Sequence, residues 1–280
     1  MISFHLRRRR ETGSMLKIIF LISLLTVSTH SRSYRLEYGF DQGQKTKYEF
    51  KGRHQARLVS IEGIRSVDER MEGYFEDKVL GINSDLKAEV ERHLVVSRRW
   101  HNGSEMEIDD FNSKGIKYKY ILDSSRGKVE VVNSKTFNPQ DLMEMVVSFP
   151  VDSVALGDSW SKTYHYNLSR GNRESLNIKG LYRLKAVKGN IALIEGKFKS
   201  RLPRDKRTDY AGKLQFDVAL YFNMRKGLIE RCSFKKLLRY DSRSQLAREF
   251  FRQAKQAGES VRLGYTLKIS QSFERVKDGI

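Results

Sequence analysis

The chain has 280 residues, with 53 lysines and arginines against 34 aspartates and glutamates, for a formal charge of +19. Such a field draws anionic lipid headgroups, acidic polysaccharide or nucleic acid by general attraction. A single cysteine, Cys232, excludes an intramolecular disulfide, so the fold must rest on its hydrophobic core.

In chain order, Lys17 precedes the apolar run from Ile18 to Leu25, followed by the small polar stretch from Thr26 to Ser31. This layout predicts a cleavable signal peptide over residues 1–31, with Thr29 and Ser31 as the small residues before the cut. The apolar run is far shorter than the roughly 20 residues of a membrane-spanning helix. Met15 is an alternative start. Without those 31 residues the chain keeps 249 and a formal charge of +15, enough to bury a sizeable core. The expected location is exported, periplasmic or envelope-associated, which argues against an intracellular nucleic-acid role.

Strand periodicity dominates the remainder. Leu86, Ala88, Val90, Leu94 and Val96 alternate, with Arg92 intruding on the same face. Phe216, Val218, Leu220, Phe222 and Met224 repeat the pattern, and so do Leu263, Tyr265, Leu267, Ile269 and Phe273, where Gln271 interrupts. Period two is what a strand needs when one face meets a core. Turn signals separate the runs at Asp41-Gln42-Gly43, His101-Asn102-Gly103, Ser125-Arg126-Gly127, Lys188-Gly189-Asn190 and Arg225-Lys226-Gly227. They predict hairpins joining Tyr182–Val187 to Ile191–Phe198 and Leu214–Met224 to Leu228–Tyr240.

Two segments read as helices. Pro139 to Val147 has Leu142, Met143, Val146 and Val147 at helical spacing, with Asn138 as its cap. Ser242 to Gly258 places Leu246, Phe250, Phe251 and Ala254 on one side, and Gly258 ends it. The expected fold is therefore mainly β: a large curved antiparallel sheet of about ten or eleven strands with one or two short helices. The chain divides into an N-terminal β-unit over 32–138, a connector over 139–150 and a C-terminal β-unit over 151–280. The two units are expected to be continuous, and a loose shared theme hints at duplication.

Catalytic patterns are missing from the sequence. His54, His93, His101 and His165 form no metal-binding pair, and there is no serine elbow or phosphate loop. Glu105, Glu107 and Asp109 alternate as a solvated sheet face does. Cys232 reads as a small buried hydrophobe. The expectation is a non-enzymatic protein with no cofactor and no metal.

The Gly157-Asp158-Ser159-Trp160 element follows Phe149-Pro150-Val151, after an opening rich in tyrosine and glycine from Tyr34 to Tyr48. This arrangement resembles a family of uncharacterised exported bacterial β-rich proteins with a central G-D-x-W element, over roughly residues 34–276. The resemblance transfers no functional residue, and the chain lacks the lipobox cysteine expected of some exported relatives. In architecture the chain looks like envelope lipoprotein and glycolipid carriers, which hold acyl chains between a concave sheet and helices. That likeness implies a ligand-lining set of Phe216, Val218, Leu220, Phe222 and Met224, with Phe250 and Phe251 on a helical lid. Trp160 and Tyr164 belong to the core or the rim of a pocket. Arg204, Lys206 and Arg207 form a basic loop cluster, and Arg248, Arg252 and Lys255 a basic helix face suited to headgroups of an anionic membrane surface. The function implied is an exported binding or structural protein for a lipid or other amphiphile. Its alternatives are an envelope assembly module that recruits an envelope protein by strand addition, or a binder of anionic polysaccharide.

Overall fold

The computed structural model describes residues 32–108, 114–123, 129–133, 147–167, 175–205, 210–259 and 261–277. The expected signal peptide, most of the expected helix from Pro139, the turn at Ser125-Arg126-Gly127, and Lys206 and Arg207 lie outside them.

Long alternating runs become long strands. Among the described residues the main sheet has twelve: β2 (Lys45–Ser60), β3 (Gly63–Ile82), β4 (Lys87–His101), β5 (Ser104–Met106), β6 (Ile116–Asp123), β7 (Val129–Asn133), β9 (Ser159–Asn167), β10 (Ser175–Lys188), β11 (Ile191–Asp205), β12 (Tyr210–Asn223), β13 (Leu228–Ser242) and β14 (Gly264–Arg275). Eleven run side by side in the order β7-β6-β4-β3-β2-β14-β13-β12-β11-β10-β9, and β5 pairs separately with β4. Every pairing is antiparallel. The last strand, β14, sits between β2 and β13, so strands from both ends of the chain meet mid-sheet. Among the described residues the row ends at β7 and β9 and is not closed into a barrel.

The sheet is strongly curved. Leu122 on β6 and Ile229 on β13 line one small cavity, although five strand spacings separate them. On a flat sheet that separation is roughly 24 Å. Bulges at Glu72/Gly73 and Val79/Gly81 add to the bend. Nearly all the buried side chains form one cluster on the concave side.

The anticipated hairpins at Lys188-Gly189-Asn190 and Arg225-Lys226-Gly227 form with the expected partners. The described turn glycines Gly43, Gly103, Gly189 and Gly227 all adopt positive φ. Two hairpin turns were not anticipated, though both carry turn residues: Ile61-Glu62, followed by Gly63 at positive φ, joins β2 to β3, and the segment from Asn83 to Leu86, with Asn83, Ser84 and Asp85, joins β3 to β4. The helix α1 spans Gln245–Gln256 with Ser244 as its cap, accepting a bond from the amide of Ala247. It differs from the expected stripe at one position: Ala247 faces the core and Leu246 is exposed. A smaller two-stranded ladder, β1 (Ser33–Tyr34) with β8 (Val154–Ala155), joins two irregular segments outside the main sheet.

Candidate ligand-binding face

Direct cross-strand partners point to the same side of a sheet. One concave row therefore runs Leu220–Cys232–Phe273–Phe50–Gly73, and another Leu214–Leu238–Leu267–Ala56–Val67. The first row lies in a closed half. Leu220, Cys232 and Phe273 are buried, and neighbouring Tyr48 and Phe75 stack at 4.8 Å between ring centroids. The second row leads into an open half. Its exposure rises from 1 % at Leu214 to 37 % at Val67. Leu238, Leu267, Ile269, Ala56, Tyr240 and Tyr265 there are only half-buried, and Leu58 is exposed.

A strap made of two chain segments closes the first half. Leu36 and Tyr38 come from the segment before β2, and Val147, Phe149 and Val154 from the segment before β9. Phe149 packs on Phe222 with 4.6 Å between ring centroids, and Tyr38 on Phe149 with 4.8 Å. The Tyr38 hydroxyl donates to the carbonyl of Val147 at 3.0 Å and accepts from its amide at 3.1 Å. Burial pushes this phenol well above its ordinary pKa, which keeps it protonated and able to donate. The indole of Trp160 donates to the Ser148 carbonyl at 2.7 Å, and the Lys162 ammonium to the Ser148 hydroxyl at 3.0 Å. At the other end the amide of Gly39 donates to the carbonyl of Gly227. A side chain at Gly227 would begin 1.9 Å from the Gly39 nitrogen, so only glycine lets the strap sit on this turn.

The G-D-S-W element belongs to the same fastening. The Asp158 carboxylate accepts from the amide of Ala155 at 2.8 Å, and the Gly157 amide donates to Leu184 on β10. These residues tie the strap to the sheet.

Within the closed half lies a buried ion pair. Arg92 on β4 and Asp77 on β3 are cross-strand partners, and the guanidinium donates to both carboxylate oxygens, at 2.5 and 2.7 Å. Arg92 is 5 % exposed, and its guanidinium carbon lies 4.1 Å from the Phe75 ring centroid. Burial is the strongest single influence and would lower its pKa, but the charge and hydrogen bond of Asp77 together with Tyr118 and Tyr120 outweigh it, and the net direction is up. Tyr48 and Tyr120, on the same wall, are pushed up chiefly by burial. The cavity beside them measures about 50 Å³. A closed apolar cavity that takes benzene is about 150 Å³, so this one is water-sized and does not hold an acyl chain as it stands. It adjoins a wider surface cleft of about 830 Å³ with Arg35, Lys45, Arg225 and Lys226 at its edge.

The anticipated ligand residues Phe216, Val218, Leu220 and Phe222 do share the concave face, but in its closed half, fully packed, with Met224 half-buried beside them. Phe250 does not meet them. It packs with Val59, Ala247, Val261 and Leu263 in a separate cluster, while Phe251 lies under the Arg262 guanidinium at 4.5 Å. The strap, not the helix, covers Phe222. Trp160 and Tyr164 are half-buried against the main core, and the Tyr164 hydroxyl bonds that of Tyr182. Arg248, Arg252 and Lys255 are exposed on α1, where Arg252 pairs with Glu249. Arg204 lies near the end of β11.

Sequence reasoning missed the strap and the Asp77–Arg92 pair. The intrusion of Arg92 into an apolar stripe was its one visible trace. Cys232 is buried and its thiol is pushed up to about 12 by burial. Among the described residues no three histidine, cysteine or carboxylate side chains converge on a metal position, and no helix is long and apolar enough to cross a membrane.

No family model matches the chain, and no curated protein matches it. Among solved structures it is similar to lipovitellin, in a structure titled for its lipid–protein interactions, at 7 % identity and a TM-score of 0.46. That match covers 85 % of this chain and 26 % of the lipovitellin chain, so this chain spans about a quarter of that protein. DynF from the dynemicin biosynthesis pathway of Micromonospora chersina follows at 9 % identity and a TM-score of 0.20, covering 87 % of this chain and 85 % of that one. A domain described as an outer membrane lipoprotein-sorting protein, from Vibrio parahaemolyticus, matches at 10 % identity and a TM-score of 0.18, covering 83 % of this chain and 87 % of that one.

Proposed function

We propose that this protein is an exported, non-enzymatic binding protein that holds an amphiphile against the open half of its concave sheet. The observation that carries the reading is the band of Ala56, Leu58, Val67, Leu238, Leu267 and Ile269, apolar and on the concave side yet not fully buried. Small-molecule sites are concave and mostly apolar, with a few polar groups to orient the ligand. Tyr240 and Tyr265, direct partners in the next row out, supply such groups. The strapped half provides a rigid floor beside the band, because its side chains are already packed.

Two measurements test the reading. Native mass spectrometry of the protein from its own envelope should find a bound lipid that leaves on organic extraction. A dansyl fatty acid should bind the extracted protein with increased emission, and Val67→Asp, at an exposed position, should abolish that binding while the melting temperature holds. A bare protein that takes up no probe, or a Val67→Asp variant that binds as well as the parent, sinks the proposal.

A second reading rests on the two ends of the sheet. Among the described residues β7 and β9 each pair on one side only, the geometry that strand addition by an envelope protein uses. A partner that cross-links to β9 and is lost on placing proline within Ser159–Asn167 would favour it.

A further inference from the structure

The far end of the β2–β3 hairpin carries side chains that a solvated turn has no reason to carry. Ser60 pairs with Gly63, leaving Ile61 and Glu62 as the turn itself. Such positions ordinarily take glycine, asparagine, aspartate or serine. Here Ile61 is 67 % exposed and Ile64, just past the turn, 54 %. Val59, the cross-strand partner of Ile64, packs on Ala247 of α1 together with Leu263, with Phe250 and Val261 against them. Hairpin end and helix therefore pack on one another, and Leu246, next to Ala247 on α1, is a third large apolar side chain left exposed, at 59 %.

The charge around these apolar residues has one sign in excess. Residues 57–65 of the hairpin end, 241–259 in and around α1, and Arg262 carry Arg57, Arg65, Arg243, Arg248, Arg252, Lys255 and Arg262 against Glu62, Asp241, Glu249 and Glu259, for a local balance of +3. All seven basic residues are exposed. Glu249 and Glu62 each pair within the surface, with Arg252 and Arg65. Isolated apolar side chains set in a basic field fit the boundary of an anionic bilayer: the isoleucines and leucine enter the acyl region and the guanidinium groups meet headgroups. A second copy of the chain fits poorly, because both surfaces would bring the same positive charge together.

We propose that the β2–β3 hairpin tip and helix α1 form a docking surface for an anionic lipid bilayer, with Ile61 as the inserting residue. The proposal stands independently of the amphiphile reading. It has a geometric consequence for it, because Leu58 and Val67 of the open concave half lie only a few residues from the tip on the same two strands. A docked molecule would hold that half close to the membrane surface, and the cleft edged by Arg225 and Lys226 toward the opposite end of the sheet.

The test uses the full protein as Ile61→Cys, labelled with an environment-sensitive fluorophore. The native Cys232 is 1 % exposed and leaves the label to the tip. Vesicles of phosphatidylcholine containing phosphatidylglycerol should give a blue shift that pure phosphatidylcholine does not, and that high salt weakens. In unlabelled protein, the double substitution Ile61→Ser with Ile64→Ser should lower vesicle affinity about tenfold or more, since it removes two side chains from the acyl boundary. Arg248→Ser and Lys255→Ser should each cost about fivefold, and only with anionic vesicles. Circular dichroism and a melting curve should show each variant folded, since all these positions are exposed. Absence of the shift, or vesicle binding unchanged by the isoleucine substitutions, overturns the proposal. Self-association that Ile61→Ser abolishes, with no vesicle binding, also overturns it and assigns the surface to a second copy. Binding of a dansyl fatty acid without vesicle binding overturns docking alone and leaves the amphiphile reading standing.

Discussion

The closed and open halves of the concave face are built from the same kind of residue on the same strands. Phe216, Val218, Leu220 and Phe222 alternate along β12 as Tyr265, Leu267 and Ile269 do along β14. Yet Phe222 is fully buried and Leu267 only half-buried. The strap makes the difference. Tyr38 and Phe149 lie on Phe222 and remove it from water, while the row through Leu238, Leu267 and Ala56 grows more exposed toward β3. An apolar stripe on a strand thus marks what faces inward. It does not mark what arrives to cover it, and the uncovered remainder is where a ligand finds apolar surface without displacing protein.

The largest expected effect breaks the closed half. Phe222→Ala removes a ring packed against both Tyr38 and Phe149 and should cost about 3–5 kcal/mol in chemical denaturation. Leu267→Ala should cost well under half as much, because less of its surface leaves water on folding. Equal losses at the two sites would erase the distinction between the halves.

Nearly as large is the effect of orphaning a buried charge. Arg92→Met leaves the Asp77 carboxylate without its guanidinium and should destabilise by about 3–5 kcal/mol. The double variant Asp77→Leu with Arg92→Met should recover most of that, since two apolar side chains replace two desolvated ions. A double variant as unstable as the single would show that the pair does more than fill space between Phe75 and Tyr120.

Alkaline pH provides a graded test. Burial raises the Cys232 thiol to about 12 and pushes Tyr38, Tyr120 and Tyr182 up as well. A group raised on folding contributes stability that is complete below its unfolded pKa and is lost as pH climbs toward the folded value. The melting temperature should therefore fall steadily as pH rises from about 9 toward 12. Cys232 should resist a thiol reagent at mildly alkaline pH until the protein unfolds. Rapid labelling of native protein would place this part of the closed half in contact with solvent.

The smallest effect sharpens the edge between the closed half and the cleft. Arg275 donates to Glu230 at 2.7 Å and Asn223 does so at 2.8 Å. Burial, the strongest single influence, would raise the Glu230 carboxyl, but these bonds together with the charges of Arg275 and Lys226 outweigh it and hold its pKa low. Its stabilisation is present above the ordinary glutamate range and is lost as pH falls through the depressed folded value. Glu230→Gln should cost about 1–2 kcal/mol near neutrality and nothing at strongly acid pH. A cost that persists in acid would mean that shape, not charge, is what Arg275 recognises.

Much of this architecture was legible in the residues. Period two specified the long strands, and glycine placed the turns at Gly103, Gly189 and Gly227. The turn at Ile61-Glu62 was overlooked because its exposed isoleucine reads as more strand, although Gly63, at positive φ, marks it. The offset in α1 follows the helical period itself: Ala247, Phe250, Phe251 and Ala254 stand at i, i+3, i+4 and i+7, while Leu246 sits about a quarter turn away and only its greater hydrophobicity drew it into the expected stripe. Arg92 looked like a flaw in its stripe because its partner stands on the preceding strand, reached only once β3 and β4 are in register.

By itself, then, the sequence determined the class of fold, the faces of its strands, the basic surface and the burial of Cys232, because each follows from local spacing or composition. Tertiary structure alone decided that Leu36, Tyr38, Val147 and Phe149 would cross the concave face, and therefore that one half of that face would be filled and the other left open. Local patterning cannot carry that information, since the two segments lie more than a hundred residues apart and meet through a two-stranded ladder, the Tyr38 hydroxyl and a set of stacked rings.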